Sequence, residues 1–126
     1  MNEKFIQNLD KLPADVRREF ALLANKYGEK KKQDTIQTDF LSFVKHVWPD
    51  FIEGSHHKRI ADKFNKLASG EIKRLIINMP PRHTKSEFGS YLLPAWMVGK
   101  NPKLKIIQST NTTELSVRFG RKAKAL

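Results

Sequence analysis

The stretch that decides the predicted fold is Leu75-Ile76-Ile77-Asn78-Met79-Pro80-Pro81-Arg82-His83-Thr84-Lys85-Ser86-Glu87. Its first five residues form an apolar run rich in β-branched side chains, which predicts a short strand buried on both faces. Two prolines end that run, and the pattern from Ser86 to Val98 predicts a helix that kinks or breaks at Pro94. The stretch therefore predicts a turn from the carboxyl end of a strand into a helix, which is where phosphate-binding loops lie.

A second apolar run and a final helix are predicted downstream of this turn. The run from Leu104 to Gln108 predicts another strand, and Asn111 with Glu114 three residues later resembles a capping box. Strand, helix, strand and helix in this order make a βαβα unit, which implies a parallel sheet. We therefore expect an α/β fold with an incomplete parallel sheet, because two strands cannot form a stable parallel sheet that is covered on both faces.

The sequence upstream of the first predicted strand is expected to be helical. Apolar residues recur at helical spacing in three stretches: residues 13–28, 38–48 and 55–70. Gly28 and Gly70 are expected to end the first and third helices, and the charged residues 29–34 predict a solvated linker. We divide the chain into an N-terminal helix and linker, residues 1–37, and the start of the α/β domain, residues 38–126.

The charge of the chain is strongly basic. Its 126 residues include 24 Lys and Arg against 13 Asp and Glu, and the formal net charge is +11. More than half of the excess lies in residues 100–126, so a polyanion such as DNA would be attracted there and would bind more weakly as salt rises. The alternative is a solubilising helix face, or a face that another part of the protein covers.

Composition also excludes several classes of protein. Cysteine is absent, so disulfide scaffolds, thiol nucleophiles and cysteine-based zinc sites are excluded. The start of the sequence does not look like a signal peptide, and the longest weakly polar run, residues 91–99, is shorter than the roughly 20 residues of a membrane helix. We expect a soluble intracellular protein.

The turn partly matches the phosphate-loop pattern Gly-x-x-x-x-Gly-Lys-[Ser/Thr]. Lys85 and Ser86 stand at the last two positions of that pattern, whereas Met79 and Thr84 replace its glycines. The two prolines offer no N–H, so residues 82–86 would have to supply the backbone donors. Lys85 would reach the β- and γ-phosphates of a nucleotide, and the Ser86 hydroxyl would hold Mg²⁺.

Two questions about this turn stay open at the level of the residues. A positive φ at the β-branched Thr84 costs on the order of 1–3 kcal/mol, so we expect the loop to keep this residue at negative φ. The alternative to a nucleotide site is a solvated basic turn made by Arg82, His83 and Lys85, with Ser86 as the N-cap of the helix.

The segment Leu75–Glu87 closely resembles the deviant Walker A segment of large terminase subunits, the DNA-packaging motor proteins of tailed bacteriophages. In that family a strand is commonly followed by Pro-Pro-Arg-His-Gly-Lys-Ser-Glu, and this chain departs from the pattern at Thr84. The resemblance extends over roughly residues 36–126. It includes three flanking segments: Ser55-His56-His57, Pro94-Ala95-Trp96 and Lys105-Ile106-Ile107.

The resemblance implies a P-loop NTPase-type ATPase that uses ATP and Mg²⁺ to drive double-stranded viral DNA into a procapsid in the host cytoplasm. It also implies a portal protein and a small terminase subunit as partners, a homo-oligomeric motor and no membrane association. Proteins of this family carry a second domain, an endonuclease that cuts concatemeric DNA.

The resemblance also assigns roles to residues. Its nucleotide-binding segment comprises Arg82, His83, Thr84, Lys85, Ser86 and Glu87. Lys85 would contact the β- and γ-phosphates, Ser86 would bind magnesium, and Arg82 would act as an arginine finger in cis on the γ-phosphoryl group. The segment around Trp48, His56 and His57 would approach the adenine. The alternative is plain packing for Trp48 and a solvent-facing cap region for the histidines.

The acidic residues that ATP hydrolysis needs are missing from this sequence. After Lys85 the only acidic residues are Glu87 and Glu114, and neither ends an apolar run. We therefore expect the N-terminal part of the ATPase domain, truncated before Walker B and without the nuclease domain, which would not hydrolyse ATP alone. Two alternatives stay open: another P-loop motor such as a helicase-like ATPase, and a non-catalytic basic DNA-binding module.

Overall fold

The fold is built from helices. The structure, a computed structural model, describes residues 12–126. Its elements are α1 Ala14–Thr38, α2 Phe40–Val47, α3 Ser55–Ser69, α4 Lys85–Glu87, the π-helical turn π1 Phe88–Leu92, α5 Leu93–Lys100 and α6 Thr113–Lys124. Helices account for 66% of this part of the chain and strands for none of it, so the described fold is all-helical. None of these helices is both long and apolar enough to cross a bilayer.

The predicted α/β fold with a P-loop NTPase-type parallel sheet is wrong. Within residues 12–126, residues 75–79 and 105–108 make no backbone hydrogen bond to another backbone group, and the Leu104 N–H bonds to the Asn101 carbonyl three residues before it, so neither predicted run is paired as a strand requires. In the first run Leu75, Ile77 and Met79 pack against the helical core, whereas Ile76 is 86% exposed. A β-branched run shows only that a segment would fit a pleated surface. It becomes a strand only beside a second segment that shares its hydrogen bonds, and no described segment does so.

Helix α1 is longer than the sequence predicts. It continues through Gly28 and through the charged residues 29–34, so the predicted helix end and the predicted linker are both wrong. A single glycine inside a helix costs only about 1 kcal/mol, and the Glu, Lys and Gln residues that follow are good helix formers. A boundary between Asp34 and Thr35 divides the chain into two compact units, and the second unit contains every element from α2 onward.

Asp39 joins the start of α2 to α3. It is the N-cap of α2, one residue later than predicted, and its carboxylate accepts hydrogen bonds from the Ser42 N–H and hydroxyl, both at 2.7 Å. Asn65 of α3 donates to the same carboxylate at 2.8 Å and accepts from the Phe40 N–H at 2.9 Å. Burial by itself raises the pKa of Asp39, but these hydrogen bonds together outweigh it and lower the pKa below its usual value.

The hydrophobic core is an aromatic cluster centred on Phe40, which is fully buried. The rings of Phe64, Phe88 and Trp96 surround it edge-on, with centroid distances of 5.0, 5.4 and 5.5 Å. These rings come from α3, π1 and α5, so the cluster joins four elements. The Trp96 indole N–H also donates to the Ile36 carbonyl at 3.0 Å, so the buried polar atom of this ring has a partner.

The helix that follows the loop is widened just before Pro94. The helical stretch runs from Lys85 to Lys100, but residues 88–92 form a π-helical turn in which the Leu93 N–H bonds to the Phe88 carbonyl. Pro94 has no N–H and its ring crowds the preceding turn, which the wider turn accommodates. The predicted irregularity is therefore a π-helical turn directly ahead of the proline. The helix also holds Phe88 in the core, immediately beyond the loop.

Candidate nucleotide-binding site

The loop before α4 has an unusual backbone. Arg82 and Thr84 have φ values of 64° and 58°, and they are the two non-glycine residues with positive φ in residues 12–126. The expectation that Thr84 keeps a negative φ is therefore wrong. This residue takes the conformation that a glycine would adopt there without cost, although its side chain is β-branched.

This backbone leaves a series of hydrogen-bond donors free. Within residues 12–126, the N–H groups of residues 82–87 donate to no backbone or side-chain acceptor. Residues 80–87 alone line a depression of about 240 Å³ at this position. Left-handed residues at short spacing, followed by the first turn of a helix, are typical of loops whose N–H groups bind an anion.

The side chains of the loop add positive charge. Arg82, Lys85 and Ser86 are exposed, and their side chains make no hydrogen bond or ion pair within the described part of the chain. Ser86 is the second residue of α4 and Thr84 is its N-cap, so the alternative that made Ser86 the cap is wrong. An ammonium, a guanidinium and free N–H groups fit a phosphate chain by their chemistry.

The same residues could complete a magnesium site only together with a phosphate. Residues 12–126 hold no group of three or more His, Cys, Asp or Glu side chains that could bind a metal ion. Mg²⁺ usually keeps several waters and binds through one or two protein groups and the substrate phosphates. The Ser86 hydroxyl fits this mode of binding as a single protein ligand.

Glu87 is held by α6. Its carboxylate lies 3.1 Å from Lys122 Nζ, which also lies 4.8 Å from the centre of the Tyr91 ring. Burial, and after it the Glu87 carboxylate, raises the pKa of Tyr91 to about 12. Glu87 therefore follows the loop in sequence but is engaged with Lys122, and it fastens α6 to the helix that begins at the loop.

His57 reaches the loop from α3. Its Nε2 lies 2.7 Å from Thr84 Oγ1, and its Nδ1 accepts a hydrogen bond from the Gly54 N–H at 2.9 Å. The residue is only 6% exposed, so the expectation of a solvent-facing histidine is wrong for His57. The centroid of the His56 ring lies 3.8 Å from the centroid of the His57 ring and 5.8 Å from that of the His83 ring.

Trp48 takes part in packing. Its ring centroid lies 5.5 Å from that of Phe51, and the side chain packs against the aromatic core. The structure thus brings His56 and His57 to the loop, while the described contacts of Trp48 are those of a core residue.

Comparison of the chain with protein-family models, with curated proteins and with solved structures finds no match. What points to a function is therefore the loop itself: its backbone, its free donors and the residues around it.

Proposed function

We propose that residues 80–87 bind the triphosphate of ATP together with Mg²⁺, and that the chain is the ATP-binding part of a viral DNA-packaging motor of the large terminase type. One observation carries this proposal: Arg82 and Thr84 are both left-handed, immediately before Lys85 and Ser86. Such conformations cost on the order of 1–3 kcal/mol each, and they persist mainly at functional sites.

Each group of the loop has a role in this proposal. The free N–H groups of residues 82–87 bind phosphate oxygens, and Lys85 neutralises charge between the β- and γ-phosphates. Ser86 supplies one ligand to Mg²⁺, which neutralises phosphate charge when it is bound. The Arg82 guanidinium stabilises charge on the γ-phosphoryl group. Through the resemblance, the proposal also includes a homo-oligomeric motor, an endonuclease activity in the complete protein, and a portal protein and a small terminase subunit as partners.

We expect this chain to bind ATP without hydrolysing it. A motor ATPase needs one carboxylate for Mg²⁺ and another to orient the attacking water. After Lys85 the sequence offers Glu87, which is paired with Lys122, and Glu114 in the first turn of α6. Neither residue ends an apolar run, and Glu87 is engaged in an ion pair, so we expect these carboxylates to come from elsewhere in a complete motor.

Competition between nucleotides tests the proposal. A fluorescent ATP analogue is bound to the chain in the presence of Mg²⁺ and displaced with ATP, ADP or AMP. We expect ATP to displace it best and AMP to displace it at least about 100-fold less well, because AMP lacks the β- and γ-phosphates that Lys85 and Arg82 are proposed to contact. Equal displacement by AMP and ATP, or no binding of the analogue, would reject the proposed function.

A second candidate function, a basic DNA-binding module, is favoured by α6. Arg118, Arg121 and Lys124 are all exposed and recur at a spacing of three residues on this helix. Their charge would attract the phosphates of duplex DNA and would give an affinity that falls steeply with salt. The Lys85→Ala variant separates the two candidate functions. A nucleotide site would lose ATP affinity in this variant, whereas a DNA-binding module without a nucleotide site would show no ATP binding to lose.

A further inference from the structure

Thr84 occupies a backbone conformation that its own side chain opposes. Its φ of 58° and ψ of 7° lie in the left-handed region, where a β-branched side chain crowds the backbone. It stands at the position that glycine takes in the phosphate-loop pattern. Other parts of the protein must therefore stabilise this conformation.

A continuous series of hydrogen bonds reaches Thr84 from the start of α3. The Gly54 N–H donates to Nδ1 of His57, so the single N–H of the neutral ring is on Nε2. That N–H faces Thr84 Oγ1 at 2.7 Å, and Oγ1 in turn donates to the His83 carbonyl at 2.6 Å. Every donor and acceptor in this series is matched, and only the neutral form of His57 allows it.

The His57 ring is fixed in place by its surroundings. It packs 4.7 Å from the Phe51 ring and 5.1 Å from the Phe88 ring, between centroids. Phe88 is a core residue only 1% exposed, and it begins the helical turn beyond the loop. His57 therefore joins the loop to the buried aromatic core.

We propose that neutral His57 is a positioning residue that holds Thr84 in its left-handed conformation and so substitutes for the glycine of a phosphate loop. The inference rests on the proposed function, because the conformation it maintains is the one that points the loop N–H groups at a phosphate. The residue acts through Thr84 and does not itself touch the nucleotide.

Protonation of His57 would break the series of hydrogen bonds, because a proton on Nδ1 would face the Gly54 N–H. Burial first, and then the neighbouring His56, lower the pKa of His57 below its ordinary value of 6.5. Glu53 raises this pKa by less than His56 lowers it, and His83 lowers it by the smallest amount. Glu53 is itself paired with Lys45 and Lys58.

The stabilisation by His57 is therefore complete above pH 6.5 and is lost as the pH falls through the lowered pKa. We expect ATP affinity to fall over this range in the wild type. The fall in ATP affinity should be smaller in the Thr84→Gly variant. Protonation of ATP itself affects both proteins equally, so the difference between them reports His57.

A double-mutant cycle tests the proposal. ATP affinity with Mg²⁺ is measured for the wild type, His57→Ala, Thr84→Gly and the double variant. Glycine adopts the left-handed conformation without help, so His57→Ala should weaken binding about tenfold in the wild type but less than about twofold in the Thr84→Gly background. If His57→Ala lowered ATP affinity equally in both backgrounds, or did not lower it in the wild type, the proposal would be overturned.

A second pair of variants covers the case in which His57→Ala does not fold. Thr84→Val removes the hydroxyl at constant size and branching, so it should bind ATP about tenfold more weakly than the wild type, whereas Thr84→Ser keeps the hydroxyl and should not. Equal affinities would contradict the role of the hydroxyl.

A measurement without nucleotide separates this inference from the proposed function. The ¹⁵N shifts of His57 should show a protonated Nε2 and an unprotonated Nδ1 at pH 7. The opposite tautomer would overturn the inference. If the Nε2-protonated tautomer is found but the wild type binds no ATP, the proposed function fails while the hydrogen bonds of His57 stand. His57 would then hold Thr84 for a purpose other than nucleotide binding.

Discussion

Replacing Lys85 with alanine is expected to lower the affinity of the chain for ATP and Mg²⁺ by about 10- to 150-fold. Lys85 is the first residue of α4, and its side chain has no partner within the described residues, so its ammonium is available to a phosphate. A hydrogen bond to a charged group contributes about 1.5–3 kcal/mol, which corresponds to that range of affinity. The fold should be unaffected, because the side chain is exposed. Isothermal titration with ATP and Mg²⁺ measures the change directly.

The matched control for this prediction is Lys103→Ala. Lys103 is also an exposed lysine, and it lies in the turn between α5 and α6. Its removal lowers the net charge by the same amount, so it reports the general electrostatic contribution. We expect an effect below about twofold. Equal losses for the two variants would mean that ATP is attracted by the overall charge, and Lys85 would lose its assigned role.

Replacing Phe40 with alanine is expected to destabilise the second unit of the fold by about 3–5 kcal/mol. The side chain is fully buried and is packed by three aromatic rings, so its removal leaves a cavity and ends three edge-on contacts. Small domains are stable by only about 5–15 kcal/mol, so the variant would be close to unfolded. Urea unfolding followed by tryptophan fluorescence suits this test, because the Trp96 ring lies beside Phe40.

Ile107→Ala provides the control for the core. Ile107 is 97% exposed, although it lies in the run of residues 104–108 that the sequence predicts to be a strand. We expect its replacement to change the free energy of unfolding by less than about 0.5 kcal/mol. A large decrease in the free energy of unfolding for Ile107→Ala, together with a small decrease for Phe40→Ala, would contradict the described core.

Helix α3 shows what the sequence could predict. Its apolar residues recur at helical spacing, and Gly70 ends it with a φ of 80°, as expected of a glycine at a helix end. These signals are local, so they do not depend on which segments the helix meets. The two predicted strands failed for the opposite reason. A strand depends on a distant partner, and the composition of residues 75–79 carries no information on whether that partner is present.

The loop could be located from its sequence but its conformation could not. Lys85 and Ser86 identified the position, whereas the preference of threonine for negative φ gave the wrong sign at Thr84. The missing information was the hydrogen bond from His57. One signal could have indicated it: His57, Ile60, Ala61 and Phe64 follow the spacing of a buried helix face, and all four are buried in the structure.

The proposed binding of ATP phosphates by the backbone N–H groups of residues 82–87 can be observed residue by residue in amide ¹H–¹⁵N spectra of the chain titrated with ATP and Mg²⁺. We expect saturable shifts of the amide signals of residues 82–87 with ATP and much smaller shifts with AMP. Amide signals in this loop that stay in place while those of the basic helix α6 move would contradict it.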